Sequence, residues 1–435
     1  MGSTGIILAA GRGTRMGGGV PKVLLEVASV PMLEHVIISI IGYVNNIIVV
    51  ASQELVKNSK FKIIEGRYRF ITVIQEEPSG TMDALRCAFD QCIEIHSKIL
   101  IALGDAPLIE QNIISELVNS DSDLFISAFE SNRENEYGKL IIDNGKLIEI
   151  VEHKQSTQLQ RKITICNSGL LSCSKVLALR FLQENYSKKE PKNEQYLTDI
   201  VKYLHLNQAT IKFDKFEEKY LCGANTRQEL VVIEEFMQEK LRNNLIENGV
   251  VMIAPKTVFL TPFTFVEPGV IIYPYTVLGK EVYIKSGVKI LSFSHIEGAK
   301  IEKNCIVGPF ARIRPDTELR ENAKIGNFVE VKNSIIGDNS KCSHLSYIGD
   351  AYIGEGVNIG AGSVFCNYDG AKKHKSNVGD NTFIGSNTSI VSPLTIERDS
   401  FIAAGTVLTK NMPEGSFAIS RPELIVKKRR HKKAF

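Results

Sequence analysis

The sequence predicts two units in series, an open and mostly parallel α/β sheet followed by a parallel β-helix, and three observations carry that expectation. From Val266 to Leu408 an aliphatic residue opens a new unit every six positions, usually with a small or turn-forming residue close behind. Before residue 225, short aliphatic runs at 5–11, 47–51, 99–103 and 124–128 alternate with helix-length stretches such as 31–41 and 82–95. Between these two grammars, Leu230, Ile233, Met237, Leu241 and Leu245 recur at helical spacing on one face. The expected boundaries are a first domain at 1–226, a linker helix at 227–248 and a β-helix domain with a basic tail at 249–435.

The run GIILAAG at 5–11 reads as a buried parallel strand that hands the chain to a loop. Strands alternating with helices build a Rossmann-like sheet, which binds its ligands at the carboxyl ends of the strands. The first such loop, Gly11-Arg12-Gly13-Thr14-Arg15-Met16, lacks both the GxxxxGKS/T of a P-loop and the third glycine of a dinucleotide fingerprint. Its small residues still let backbone N–H groups approach phosphate oxygens. Arg15 and, past Gly17-Gly18-Gly19, Lys22 bring cations to the same place, as a triphosphate cradle requires. Leu103-Gly104-Asp105-Ala106-Pro107 sets a carboxylate just past a buried strand, a position suited to a hydrated Mg2+. Asn225, in Gly223-Ala224-Asn225-Thr226-Arg227, offers an amide oxygen to complete that metal site. Gln75, followed by Gly80-Thr81, can supply hydrogen bonds suited to a base edge.

The hexads run IEKNCI, VGPFAR, IRPDTE, LRENAK and IGNFVE from Ile301, then IGEGVN and IGAGSV from Ile353, and five more from Val378. One hexad supplies a strand and a turn but cannot bury its own aliphatic side chain, so neighbours must stack. Three hexads make a triangular coil of about 18 residues, with successive coils roughly 4.8 Å apart. Arg314 and Lys332 lie 18 residues apart at the second position of their hexads, which puts two cations on one face of adjacent coils. Charges that close repel by about 3 kcal/mol at an effective dielectric of about 20, and an anion between them removes the penalty. A phosphate clamp is the functional reading. The repeat breaks at 365–377, where a loop carrying Lys372 and Lys373 projects from the prism.

Composition sets bounds. At 435 residues, 43% hydrophobic and 23% charged, the chain can build two cores. The net charge is +3, but Lys427, Lys428, Arg429, Arg430, Lys432 and Lys433 carry six positive charges in the tail and leave −3 for the rest, which argues against nucleic acid as a partner. Eight scattered cysteines show no CxxC and no histidine spacing for zinc. A reducing, cytoplasmic location is expected, with no membrane insertion, because no apolar run approaches the length of a span.

GRGTRM with a downstream PK, LGDAP, IVEHK from Ile150, NSG from Asn167, YLTDI from Tyr196 and GANTR resemble the sugar-1-phosphate nucleotidyltransferases. Joined to hexapeptide repeats bearing RIRP, GNFVEVKN, KCSHLSYIGDA, NIGAGSVFCNYDG and AISR, they resemble the bacterial bifunctional N-acetylglucosamine-1-phosphate uridylyltransferases / glucosamine-1-phosphate acetyltransferases over nearly the whole chain. That resemblance implies a nucleotidyltransferase sheet, a left-handed β-helix, and UTP, acetyl-CoA, glucosamine-1-phosphate and N-acetylglucosamine-1-phosphate as substrates. It also implies Mg2+ held by Asp105 and Asn225, and a homotrimer whose acetyltransferase sites form where subunits meet.

In the first domain the resemblance assigns charge balance at the α-phosphate to Arg15 and Lys22. Nucleotide and sugar contacts fall on Leu8, Ala9, Ala10, Gly11, Lys22, Gln75, Gly80, Thr81, Gly138, Glu152, Asn167 and Asn225. In the second domain an amine must lose a proton to attack a thioester, and His344 stands where the family places its general base. The implied sugar-phosphate site is Arg314, Lys332, Tyr347, Asn358 and Lys373. The implied acetyl-CoA contacts are Ala361, Asn367, Tyr368, Ser386, Ala404 and Arg421.

Two departures stand out. Asp83 replaces a histidine common after the glutamine, in Gly80-Thr81-Met82-Asp83-Ala84, and Leu103 replaces a frequent tyrosine. Asp83 is expected to add negative charge near the nucleotide and to weaken uridylyl transfer or its selectivity. Two rivals remain open: a single-function nucleotidyltransferase with an oligomerising or regulatory β-helix, against which His344, Asn367 and Tyr368 argue, and a non-enzymatic assembly subunit, against which Arg15, Lys22 and Asp105 argue.

Overall fold

Strand Ser3–Leu8 is buried along its whole length and lies in the interior of the first sheet of the computed structural model, which describes residues 2–427 apart from 12, 14, 15, 18, 78, 133, 134 and 187–194. It pairs in parallel with Lys98–Leu103 on one side and Asn46–Ala51 on the other. Alternate side chains go to opposite faces: Ile6 and Leu8 enter one core, Ile7 and Ala9 the other. Across the sheet the order is Ile211–Phe216, Leu124–Glu130, Ile165–Ser174, Lys98–Leu103, Ser3–Leu8, Asn46–Ala51 and Ile71–Ile74. The predicted strands all form, and their carboxyl ends deliver Ala9, Gln75 and Gly104 to one edge.

Several strands escaped the sequence reading, among them Ile71–Ile74, Ile211–Phe216 and the central Ile165–Ser174. Ile165–Ser174 runs antiparallel to both neighbours and carries the hairpin Lys139–Asp143 and Lys146–Val151 at its side. Its serines disguised it, yet they are paired inside: Ser168 with Ser127 at 2.5 Å, and Ser172 donating to the Leu117 carbonyl at 2.6 Å.

The chain divides into compact units Met1–Met237 and Gln238–Phe435, and the division falls inside the helix Arg227–Glu247. That helix opens on a capping box. Glu229 accepts from the backbone N–H groups of Asn225 and Thr226 at 2.6 and 2.8 Å, while Thr226 accepts from Glu229 N. Ile233 and Met237 are buried on its apolar stripe. Gln238 is buried as well, because its amide closes on both backbone groups of Leu260 at 2.8 and 2.9 Å.

In the second unit three purely parallel sheets of 10, 9 and 8 strands form the faces of the prism. The hexad-opening residues Ile301, Val307, Ile313, Leu319, Ile325 and Val331 are each completely buried. Coils step by 18 residues in places (Val258↔Thr276) and by 17 in others (Tyr283↔Lys300), so the six-residue period is a mean. Ala351↔Ser376 steps by 25, which marks the expected projecting loop. One corner runs through the left-handed backbone region at Tyr275, Phe293, Phe310, Phe328, Leu345, Gly362, Asn387 and Gly405. Its four aromatic rings stack in series 4.8–5.1 Å apart on the outside.

Ile313 sits between Ile296 and Val331 in adjacent coils. Ile313→Ala is expected to destabilise this unit by about 2–5 kcal/mol, read as a lower urea midpoint at unchanged slope, whereas Lys300→Ala on the exposed face should shift it by less than about 0.5 kcal/mol.

Candidate active sites

At the carboxyl edge of the first sheet lies a cleft of about 320 Å³. Seven of the residues singled out from sequence line it: Leu8, Thr81, Asp105, Gly138, Glu152, Asn167 and Asn225. Lys22 bridges two of them. Its ammonium forms an ion pair with Asp105 and donates to the Asn225 amide oxygen at 2.8 Å. Hence a carboxylate and an amide oxygen converge on one cation, with the capping box of the following helix anchoring the Asn225 backbone. Among the described residues no three His, Cys, Asp or Glu side chains group as a metal cluster.

On the opposite wall Thr198 donates to Glu152 at 2.7 Å. A Cβ on Gly138 would press against Ile150 at 3.0 Å and the Glu152 carboxylate at 3.4 Å, so a larger residue there would make both side chains give by a few tenths of an ångström. Asn167 turns its amide oxygen back to Gly169 N at 3.1 Å, and its backbone N–H donates to the Gly138 carbonyl at 2.8 Å. Leu103 also lines the cleft and presents no hydroxyl. Tyr137 and Thr198 were missed as site residues. Thr198 lies within YLTDI, a motif noted without a residue being chosen from it, whereas nothing in the sequence marked Tyr137, whose hydroxyl burial pushes well above the usual range.

The remaining expectations in this unit divide three ways. Ala9 and Ala10 are buried behind the first strand's end, and Gly11 is exposed. Gly80, at φ 121°, starts the helix Thr81–Gln91 and would clash with the Gln195 backbone if it carried a Cβ. Arg15 lies outside the described residues, as does the tail from Lys428 onward.

Asp83 corrects the expected repulsion. It is 4% exposed and receives donors from Gln75 Nε2 at 2.7 Å, Tyr186 at 2.8 Å and Arg86 at 3.0 Å. Burial pushes this carboxyl up, but hydrogen bonds from Gln75, Tyr186, Ser79 and Arg86 outweigh it and hold the group below the ordinary carboxylate range. Its charge is matched by Arg86, which also stacks 4.6 Å over the Tyr186 ring. Arg86 is shared with Asp90, so the Asp83 charge is held by donors inside the fold more than it is cancelled.

In the second unit, the corner that carries stacked aromatics in its early coils changes character downstream. A ladder of backbone hydrogen bonds links Asn327 O to Leu345 N, His344 O to Gly362 N, Ala361 O to Asn387 N and Ser386 O to Gly405 N. Hence Asn327, His344, Ala361, Ser386 and Ala404 line one corner in successive coils, and the Arg421 guanidinium closes it by donating to Ala404 O at 3.0 Å. His344 is exposed, and its Nδ1 lies 2.6 Å from Asn327 Oδ1. Asn327 Oδ1 can only accept, so in the neutral ring Nδ1 carries the proton and Nε2 the lone pair.

Arg314 and Lys332 are one coil apart, as their spacing required. The neutralising partner differs from expectation: Glu330 takes Arg314 at 2.8 Å. Instead it is Lys373, from the projecting loop, that meets Lys332. The Lys332 ammonium alongside pushes the Lys373 ammonium below its usual range, against the pull of Asp350 and Tyr347. Asn367, buried, donates to Asp350 and lies 3.4 Å from the Tyr347 hydroxyl. Tyr368 is exposed on the same loop, where its hydroxyl donates to Gly370 O. Asn358 sits on the neighbouring face beside Lys341.

Comparison with known proteins agrees with both halves. Residues 5–172 match the MobA-like NTP transferase domain, 298–333 the bacterial transferase hexapeptide (six repeats), and 377–410 the hexapeptide repeat of succinyl-transferase. The chain is 40% identical over 433 residues to the bifunctional protein GlmU of Wolbachia pipientis wMel, covering 98% of each. It is 40% identical over 430 residues to that of Agrobacterium fabrum, covering 98% of this chain and 94% of the relative. The Bartonella quintana protein of the same name is 38% identical over 431 residues, covering 97% and 95%.

Proposed function

The chain belongs to the family of the bifunctional protein GlmU, and from that membership we propose how its own residues divide the work. It makes UDP-N-acetylglucosamine by acetyl transfer to glucosamine-1-phosphate and uridylyl transfer to N-acetylglucosamine-1-phosphate. The observation that carries the two-site reading is the full-length identity together with a charged cleft in one unit and a histidine-bearing corner in the other.

In the first unit the sugar phosphate oxygen attacks the α-phosphorus of UTP, a bond to pyrophosphate breaks, and catalysis rests on positioning and charge neutralisation. Lys22 holds the growing negative charge, with Arg15 assigned to the same task. Glu152, oriented by Thr198, accepts from sugar hydroxyls. Asp105 and Asn225 are hard oxygen donors that already converge on a cation, a set that fits Mg2+. When bound, that ion supplies further neutralisation of the phosphates.

In the second unit the amine of glucosamine-1-phosphate attacks the acetyl carbonyl of acetyl-CoA, and His344 Nε2 takes its proton as the thiolate leaves. Lys332 and Lys373 bind the phosphate, since an anion relieves their mutual repulsion, and Arg314 joins them by exchanging Glu330 for phosphate. Tyr347 and Asn358 complete the sugar site. Ala361, Ser386 and Ala404 form a shelf for the extended arm of acetyl-CoA, ending at Arg421, while Asn367 and Tyr368 flank the reacting end. The exposed ladder of Tyr275, Phe293, Phe310 and Phe328 abuts this corner, which supports a homotrimer with shared acetyltransferase sites. Eight free cysteines support a cytoplasmic location, and no helix among the described residues is long and apolar enough to cross a membrane.

His344→Ala is expected to lower thiol release from acetyl-CoA by about 10²- to 10⁴-fold while pyrophosphate release from UTP stays near wild type; Asp105→Asn is expected to give the reverse pattern. Equal loss of both activities in a folded variant overturns the division of labour. Lys332→Ala and Arg314→Ala should each weaken glucosamine-1-phosphate more than unphosphorylated glucosamine, by about tenfold for one charge-assisted contact. Matching losses for the two sugars would mark both residues as structural. Sedimentation should give a trimer, and a monomer that acetylates at full rate overturns the shared site.

A further inference from the structure

We propose that Asp83 is a positioning residue that fixes the orientation of the Gln75 amide and thereby selects a uracil over a cytosine base. The inference rests on the reading of Gln75 as the residue that meets the base edge. Gln75 leaves the strand Ile71–Ile74 at the carboxyl edge of the sheet and is 2% exposed. Both of its side-chain hydrogen bonds among the described residues are made by Nε2, to Asp83 Oδ2 at 2.7 Å and to the Gly80 carbonyl at 3.3 Å. A carboxylate and a carbonyl accept only, so the NH2 end must face inward. Oε1 then makes no hydrogen bond among the described residues and is the end of the amide left to accept from a ligand. Thr81, the residue after Gly80, lines the cleft.

An outward oxygen accepts from the N3–H of a uracil. Cytosine offers a lone pair at N3, which meets that oxygen with repulsion. The selection thus depends on what keeps the amide from turning over, and the strongest such contact is Asp83. The carboxylate is held in turn by Arg86, through Nε at 3.2 Å and Nη2 at 3.0 Å, and by Tyr186 at 2.8 Å, all on Oδ1. Oδ2 takes Gln75, and Ser79 is the remaining donor to the carboxylate.

The decisive variant is Asp83→Asn. An arginine can only donate, so the new amide keeps its oxygen toward Arg86 and Tyr186 and turns its NH2 toward Gln75. Two NH2 groups cannot face each other, and the contact at position 83, at 2.7 Å, outweighs the longer one to the Gly80 carbonyl at 3.3 Å, so Gln75 turns over and presents a donor outward, the match for cytosine N3. The expected result is a fall of at least about tenfold in the ratio of kcat/KM for UTP to that for CTP, the scale of one unpaired polar group in a site. The change should sit in KM, with kcat much less affected, because the base is remote from the reacting phosphorus. The double variant Asp83→Asn with Gln75→Glu should restore the ratio, since a carboxylate presents an acceptor on both sides. A merely structural role for Asp83 would lower activity with both nucleotides alike and would not be rescued by Gln75→Glu. Gln75→Ala separates the two layers. If it collapses the ratio while Asp83→Asn leaves it unchanged, the positioning role is overturned and the base contact stands; if it leaves the ratio unchanged, the base contact itself fails and the proposal with it. Equilibrium nucleotide binding, measured beside the thermal midpoint of each variant, gives the same ratio for any variant too slow to assay.

Discussion

A hexad of this chain has too little strand to bury its own aliphatic side chain, and the second unit depends on that constraint. Ile313 is covered only because Ile296 and Val331 lie in the coils on either side. Stacking at the strand spacing is therefore the condition for having a core at all. It also dictates where polar residues go. Side chains at equivalent positions of successive coils are forced into columns, so a ladder of backbone hydrogen bonds that aligns Ile with Ile also aligns His344 with Ala361, Ser386 and Ala404. The corner that carries His344 is a by-product of core packing, and the same corner can be aromatic in one stretch and small-residued in the next without disturbing the interior.

Most charges in both units are matched within the fold, Arg314 with Glu330 among them, and one pair is not. Asp83 and Arg86 are matched within the fold, as are Lys22 and Asp105. Lys332 and Lys373 are not matched to one another's advantage: two ammonium groups stand side by side on an exposed face. Removing charges from water demands partners within the protein, whereas an exposed surface can leave the partner to be supplied by substrate. The deep pairs therefore hold geometry, and the open pair is left with its repulsion unrelieved inside the protein.

What was legible in the sequence follows the same line. Periodic burial is written along the chain, so the α/β alternation, the linker helix from Arg227 and the coils from Ile301 could be read from spacing. Pairing is written across it. The strand Ile165–Ser174 was missed because Ser168 and Ser172 look polar until Ser127 and the Leu117 carbonyl are placed beside them. Asp83 was read as a repulsive charge because Tyr186, one of its partners, lies 103 residues away. The Arg314 and Lys332 spacing was read correctly, whereas the Glu330 carboxylate beside the arginine was not foreseen and Lys373 arrives from an insertion outside the period. The cleft of the first unit was legible motif by motif because its residues sit at strand ends, where chain order and spatial position coincide. Tyr137 and Thr198 belong to it through the hairpin and a distant loop, and no spacing announces them.

The column from His344 to Ala404 crosses three coil steps, about 14 Å at the strand spacing. A prism built from identical layers is a graduated ruler, and its divisions are set by the peptide hydrogen bond. The seven extra residues between Ala351 and Ser376 bulge outward without adding a division, since those two residues still pair directly. Length can thus be added to this chain in two currencies. Residues inserted at a corner change what the edge displays and leave the measured span intact, whereas a whole coil gained or lost between His344 and Ala404 would lengthen or shorten that span by one strand spacing while the core repacked almost unaltered.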